Sequence, residues 1–383
     1  MKIIHISDTH LGSSSYRKLS ADGFNQREVD ICDAFEKAID QIIDEIKPDL
    51  VLHCGDLFDV VKPTNRILNF GIKQILRLSR AGIKTIVISG NHDSPKQKYM
   101  GSVFEIFDLV SGSIEDKEIL KIYYKNEYKT LDIGDVTLHI IPQCISDDIF
   151  KAELAKLSPV KGRKNILMLH AGLAGMEEFE HGDFNELLVD PKYFEGFDYV
   201  ALGHNHGLQK IRCYENAAYC GSTERLSFNE VSQPKGVIEL DSNDLPNIKP
   251  HFLGNIRIMR ELSPIDATGK DTTQIMEEIE AAIRSFDVKD KIVRIKINNI
   301  EPHILENIND RQIREWASGA LHFEPIYEKA AKAGEKAEIV KPSIGGIKEE
   351  FVDYINAYNG LKEDDLAFYK AKGIEYIEAA IQE

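Results

Sequence analysis

Five short stretches of this chain carry side-chain types that bind metals. They are Asp8-Thr9-His10, Gly55-Asp56, Gly90-Asn91-His92-Asp93, His170-Ala171-Gly172 and Gly203-His204-Asn205-His206. A single Asp-x-His or His-x-His proves little, since such residues also pack in cores. Here each of the five directly follows a short apolar run, and together they point to one metal centre. In extended chain, residues i and i+2 point to the same side. Asp8 with His10, and His204 with His206, are therefore expected to converge. Gly55, Gly90 and Gly203 are expected to let the backbone turn sharply and to keep bulk out of the pocket. Mixed oxygen and imidazole ligands suit manganese, iron or zinc better than magnesium or calcium.

The elements that must position these residues are legible from periodicity. Strand-like runs occupy 2–6, 49–54, 83–89, 136–142, 165–170 and 198–203. Val29, Ile31, Phe35, Ile39, Ile42 and Ile46 fit a helical period that Pro48 ends, and a second helix is predicted over about 64–80. Alternating strands and helices predict an α/β layer structure with much of the sheet parallel. Sites in such sheets assemble at the carboxyl ends of the strands.

Around 241–255, "DSNDLPNIKPHFLGN" reads as a domain boundary. Beyond it, a helix at 272–286 and an alternating strand at 290–298 predict a small α+β domain to about 330. A second linker, 332–343, precedes two amphipathic stretches. One carries Ile347, Phe351, Tyr354, Ile355 and Tyr358, the other Leu366, Tyr369, Ile374, Ile377 and Ile381.

The 383 residues are too many for one average domain, and 43% are hydrophobic, enough for a substantial core. No apolar run reaches membrane-spanning length. The N-terminal "MKIIHISDTH" reads as a strand, not a signal peptide. Five scattered cysteines without a CxxC pair argue for a reducing, cytoplasmic setting. A net charge of −16 speaks against a nucleic-acid partner when taken alone. A bound metal pair would reverse the sign locally.

With these motifs in hand, the chain resembles the calcineurin-like metallophosphoesterases, whose pattern is DxH, GD, GNH[DE], a single His, then GHxH. "HISDTHLG", "HCGDLFD", "ISGNHD", "LMLHAG", "ALGHNH" and "YCGSTERLSF" resemble one branch, the DNA double-strand break repair nucleases of the SbcD type, the meiotic recombination eleven family. The resemblance implies a layered α-β-β-α nuclease core at 1–245 and a small α+β capping, DNA-binding domain at 255–331. It also implies a helix-loop-helix at 343–383 that binds an SbcC-type coiled-coil ABC ATPase, and a homodimer.

The same resemblance implies two Mn²⁺ per subunit. Asp8, His10 and His206 would hold one, Asn91, His170 and His204 the other, and Asp56 would bridge them. Such a pair activates water and orients a phosphate for in-line attack. His92 would be catalytic rather than a ligand, facing the scissile phosphate or the leaving oxygen. The implied activity is Mn-dependent 3′-to-5′ exonuclease action on duplex ends and endonuclease action on single-stranded or hairpin DNA. Some relatives have His three residues after the bridging Asp. Here Asp59 stands there, with orientation of His92 or of a water as its suggested role.

Other residues weigh less. Tyr16, Arg17, Lys18 and Arg27, in the loop after DTHLG, and Arg225 are candidate DNA contacts against the plainer reading of a solvated loop and local ion pairs. Phe351, Tyr354, Ile355, Leu366, Tyr369 and Ile377 are candidate contacts to the ATPase by helix-in-groove docking. His5, His53 and His139 read as core histidines. Two rival functions remain: a two-metal phosphoesterase acting on a nucleotide or other small substrate, and a non-catalytic scaffold for the ATPase. The complete ligand set argues against the scaffold.

Overall fold

Alternation along the strands builds the core. In Lys2–Ile6, Leu50–Cys54 and Lys84–Ile88, one face presents Ile3, Leu50, Leu52, Cys54, Ile86 and Ile88. The opposite face presents Ile4, Ile6, Val51 and Val87. Strands apolar on both faces must be covered on both faces. The computed structural model describes residues 1–97, 100–114, 116, 118–176, 186–212, 214–329, 351, 369–370 and 372–374. Within them lie two six-stranded sheets packed face to face.

The first sheet runs Ile248–Phe252, Gly236–Asp241, Lys2–Ile6, Leu50–Cys54, Lys84–Ile88, Leu120–Tyr123, with the last four parallel. The second runs Gln209–Lys210, Ala217–Tyr219, Tyr199–Gly203, Lys164–His170, Val136–Ile141, Lys129–Ile133, with the middle four parallel. Their inner faces share one cluster, to which the second sheet adds Val136, Leu138, Ile140, Ile166, Met168, Tyr199 and Ala201. Helices Gln26–Asp40, Asn65–Arg80 and Phe104–Gly112 cover the first sheet, and Asp147–Leu154 covers the second. This is the α-β-β-α layering expected, and the six strand-like runs are strands.

The first helix starts earlier than its apolar period suggests. Asn25 caps it by accepting from the backbone N–H groups of Arg27 and Glu28. Its last turn widens into a π-helical segment, Gln41–Ile46, before Lys47 turns left-handed ahead of Pro48. Val29 is only half-buried, whereas Arg27 and Asp30 are buried.

The stretch read as a boundary is a hairpin. Ile248–Phe252 pairs antiparallel with Gly236–Asp241 as the edge strand of the first sheet. An edge strand accommodates Pro250, which has no N–H to give. Beyond it lies a four-stranded sheet, all of whose pairs are parallel: Met259–Glu261 and Ile265–Asp266 on one edge of Ile292–Ile300, and His322–Lys329 on the other. Helix Thr272–Ser285, closed by a capping box of Asp271 and Gln274, buries Ile275, Met276, Ile279 and Ile283 against it. We refer to this as the small unit. Of the residues proposed to meet an ATPase, Phe351 and Tyr369 are described, while Tyr354, Ile355, Leu366 and Ile377 lie outside the described residues. Among the described residues no helix is long and apolar enough to cross a membrane.

His5 joins the two sheets. Its Nδ1 pairs with the Tyr199 hydroxyl at 3.0 Å and its Nε2 with the Leu202 carbonyl at 3.2 Å. Burial pushes its pKa down to about 3. The folded state therefore refuses a proton that the unfolded chain accepts below its ordinary value near 6.5. Stability from this group is complete above pH 6.5 and drains as the pH falls toward about 3. We expect the His5 ring resonances to stay those of a neutral imidazole down to pH ~4. A titration midpoint near 6.5 in the folded protein would refute the assignment.

Candidate metal centre

The strand ends bring all seven predicted ligands to one rim. Asp8, His10 and His206 offer ligand atoms within 4.8 Å of one another, and so do Asp8, Asp56 and His170. Asp56 lies between the two sets, with its Oδ2 3.6 Å from His10 Nε2 and 3.3 Å from His170 Nε2. Asn91 Oδ1 lies 2.8 Å from His170 Nε2 and 3.1 Å from His204 Nδ1.

Each of the four histidines is held by its other nitrogen. His10 Nδ1 donates to Asp59 Oδ1 at 3.1 Å, and His206 Nδ1 to Glu230 Oε1 at 3.2 Å. His170 Nδ1 donates to the Cys54 carbonyl at 2.9 Å, and His204 Nε2 to Glu186 Oε1 at 2.5 Å. These bonds choose the tautomer. The inward nitrogens are His10 Nε2, His206 Nε2, His170 Nε2 and His204 Nδ1, and in neutral rings all four are acceptors. The Nε2 atoms of His10 and His206 then face each other at 3.1 Å, lone pair to lone pair. Acceptors aimed at acceptors at this range require a cation between them, and oxygen plus imidazole is a donor set for a transition metal. The residues fit a divalent ion on each side of Asp56.

Protonation gives the same result. Burial alone would lower His170, but Asp56 and Asp8 outweigh it and hold it up at about 9. Burial would also lower His206, yet Glu230 and Asp8 raise it. Burial works against the Asp56 carboxylate, and His170 with His10 overcomes that and keeps it well below the usual range. Without an ion, protons take up the role of the cation. Metal binding must displace them, so affinity falls as pH falls.

The convergence of Asp8 with His10 does not come from extended chain. Asp8, His10, Asp56 and His204 all have positive φ, at 52°, 44°, 53° and 107°. Such backbone costs about 1–3 kcal/mol per residue and tends to collect at functional sites. It turns the side chains inward where simple alternation would not. The glycines serve both turn and space. Gly55 turns left-handed at φ 92°, and a Cβ there would lie 2.3 Å from His170 Nδ1. Gly90 and Gly203 are needed for space, since a Cβ would lie 2.1 Å from Asp56 Oδ1 in the first case and 1.9 Å from the Cys54 carbonyl oxygen in the second.

Asp59 orients His92 through its backbone, not its side chain, and has a second role that the sequence did not suggest. Its carboxylate supports His10, and its backbone carbonyl accepts from His92 Nδ1 at 3.0 Å. His92 is exposed beside the site, edge-on to His10 with ring centroids 4.7 Å apart. Several supports were missed from sequence. Asp93, buried, accepts from the backbone N–H groups of Gly90 at 2.7 Å, Leu57 at 2.8 Å and Phe58 at 3.2 Å, tying two ligand loops together. The GNHD motif contains it and could have flagged it. Glu186 and Glu230 sit in no motif. Lys235, buried, donates to Glu230 Oε2 at 2.6 Å, to Ser222 Oγ at 2.8 Å and to the His206 carbonyl at 2.8 Å. Burial would raise Glu230, but His206 and Lys235 hold it at about 2.

The loop residues proposed to touch DNA are mostly engaged within the protein. Arg27 is 2% exposed, bonded to Asp30 at 3.0 Å and to the Arg225 carbonyl, so a phosphate cannot reach it. Tyr16 stacks on His322 with centroids 3.9 Å apart, and Lys18 Nζ donates to the Ala320 carbonyl at 3.2 Å. Both therefore join the core to the small unit. Arg225 is half-buried, and its backbone N–H donates to Glu224. Arg17 is exposed.

Removing the carboxylate of Asp59 tests the support of His10. Asp59→Ala should weaken one divalent ion by roughly 10–100-fold, as losing an outer partner of a ligating histidine does. It should leave the other ion unchanged. Calorimetric titration with Mn²⁺ reads both, and unaltered affinity at both would remove Asp59 from the site.

Comparison with known proteins agrees with this geometry. A profile of the calcineurin-like phosphoesterase family matches residues 1–208. The chain is 32% identical over 314 residues to the DNA double-strand break repair protein Mre11 of Sulfolobus acidocaldarius, covering 79% of this chain and 76% of the relative. It is 31% identical to the Sulfurisphaera tokodaii protein of the same name, covering 88% and 83%. With the one from Saccharolobus solfataricus it shares 28%, covering 95% and 92%. By ligand pattern and by sequence, this chain belongs to the calcineurin-like phosphoesterases, metal-dependent hydrolases, and within them to the Mre11 family.

Proposed function

We propose that this protein is a Mn²⁺-dependent DNA nuclease acting in double-strand break repair, with two ions per subunit. The observation that carries the metal chemistry is the set of four histidines, each held from behind, whose inward nitrogens lie close to Asp8, Asp56 and Asn91. Asp8, His10 and His206 would hold one ion, Asn91, His170 and His204 the other, with Asp56 shared. The choice of DNA as substrate is supported by relatives that are DNA double-strand break repair proteins and align well beyond the catalytic core.

Bound ions would supply a nucleophile from water and polarise the phosphate. The chain's own residues do the rest. Asp59 and Glu230 keep the His10 and His206 rings from turning. Asp56 is further oriented by the His92 backbone N–H, 2.9 Å from its Oδ1. His92, with Nδ1 committed to the Asp59 carbonyl, turns Nε2 to the substrate and moves a proton at the departing 3′ oxygen. The reading extends to 3′-to-5′ action on duplex ends and endonuclease action on hairpins or single strands. It includes 255–331 as a capping domain, a homodimer, and a coiled-coil ABC ATPase bound through 343–383.

The test is cleavage of labelled blunt duplex and hairpin DNA with Mn²⁺, Mg²⁺ or chelator. Wild type should cut with Mn²⁺ and not with chelator. His92→Ala should bind the same metal but cut roughly 10²–10⁴-fold more slowly. Asp56→Asn should lose both metal and cutting. Two bound ions and hydrolysis of bis-p-nitrophenyl phosphate without DNA cleavage would move the substrate to a small phosphoester.

A further inference from the structure

One segment, 222–235, touches both the metal centre and the small unit. It holds His206 by ring and by backbone, and the Ser222 backbone N–H donates to the His206 carbonyl at 3.1 Å. Glu230 Oε1 accepts from the ring at Nδ1, 3.2 Å away, and Lys235 Nζ donates to the backbone carbonyl at 2.8 Å. Glu230 and Lys235 are themselves bonded at 2.6 Å, and both are buried, at 4% and 1% exposure. Glu230 also accepts from the Leu226 backbone N–H at 3.2 Å and from Ser227 Oγ at 3.2 Å, so its carboxylate is fixed by the turn that carries it.

That turn, Phe228–Glu230, is a single 3-10 helix. Its first residue, Phe228, lies under the guanidinium of Arg294, 4.0 Å from the ring centroid. Arg294 belongs to the central strand of the small unit, where Glu324 also binds it at 2.9 Å. Phe228 and Val231 pack with Met259, Ile292 and Leu321 of the same unit. Glu230 therefore stands between two residues that are seated on the small unit, while its own carboxylate grips a metal ligand.

We propose that Glu230 and Lys235 are positioning residues for His206, and that the small unit sets their position through Phe228 and Val231. The inference rests on the reading of His206 as a metal ligand. Two features favour a rigid link. The pair is desolvated, so its geometry is enforced by the cost of leaving either charge alone. The turn between Phe228 and Glu230 has no spare residue in which a displacement could be absorbed. Moving the small unit away from Phe228 should thus loosen His206 without touching Asn91, His170 or His204.

The test measures Mn²⁺ occupancy of each site by paramagnetic resonance of free ion and by calorimetry, in the full chain. The variants are Glu230→Gln, Phe228→Ala, Arg294→Ala and His206→Ala. Glu230→Gln keeps shape while removing charge, and thermal unfolding of each metal-free protein checks that it folds. We expect His206→Ala to abolish one ion. Glu230→Gln should weaken that same ion by roughly 10–100-fold. Phe228→Ala and Arg294→Ala, which touch neither ligand nor support, should weaken it several-fold and leave the other ion unchanged. Wild-type affinity at both sites in the folded Phe228→Ala and Arg294→Ala proteins would overturn the link to the small unit. Wild-type affinity in Glu230→Gln would overturn the positioning role. If His206→Ala retains both ions, the assignment of His206 as a ligand fails, and this proposal falls with it.

Discussion

His10 and His206 face each other with their Nε2 atoms 3.1 Å apart, each ring donating its Nδ1 N–H to a carboxylate behind it. Three further acceptors, Asn91 Oδ1, His170 Nε2 and His204 Nδ1, crowd together on the other side of Asp56. Neutral rings placed this way repel one another, and the carboxylates of Asp56, Asp8 and Glu230, which raise His170 and His206 against the effect of burial, draw positive charge to the same place. The remaining architecture can be understood as what keeps these groups from relaxing apart. Positive-φ backbone at Asp8, His10, Asp56 and His204, glycines where a Cβ would collide, and a buried Asp93 across two loops all resist that relaxation.

The two-sheet core supplies the stiffness. Strands apolar on both faces are sealed between the sheets and under helices, so their carboxyl ends do not wander. One sheet contributes Asp8, His10, Asp56 and Asn91, and the other His170, His204 and His206. The site exists only where the two sheets meet. His5, bonded across the gap to Tyr199 and Leu202, is one of the few polar ties inside that seam. In an acidic chain with a net charge of −16, ions held there by few carboxylates would leave the pocket positive enough to attract a phosphate.

The small unit is joined to the core by side chains that sequence reading assigned elsewhere or did not single out. Tyr16, Lys18 and Arg27 follow the first ligand motif, and their charge and aromaticity suggested DNA. Tyr16 and Lys18 instead meet the small unit directly, and Arg27 lies buried on Asp30, which is also bound by Arg257. A basic residue's availability depends on which acids fold against it, and no local pattern states that. The hairpin at 236–252 makes the same point. Its two prolines look like a linker, yet Pro246 sits in the connecting turn and the edge strand tolerates Pro250.

What the amino-acid sequence determined by itself was the chemistry and its order. Five motifs of candidate ligands, each after an apolar run, were enough to give the cluster of metal-binding side-chain types, the strands that carry it and the layered fold, because strand periodicity and ligand type are local properties. The tertiary structure decided which nitrogen of each histidine faces inward. It did so through Asp59, Cys54, Glu186 and Glu230, which lie 49, 116, 18 and 24 residues from the rings they hold. It also decided that Lys235 is buried at the site and that Arg27 is not free. Hydrogen bonds between distant segments leave no periodic trace, so the support of the site became visible only once the sheets had brought those segments together.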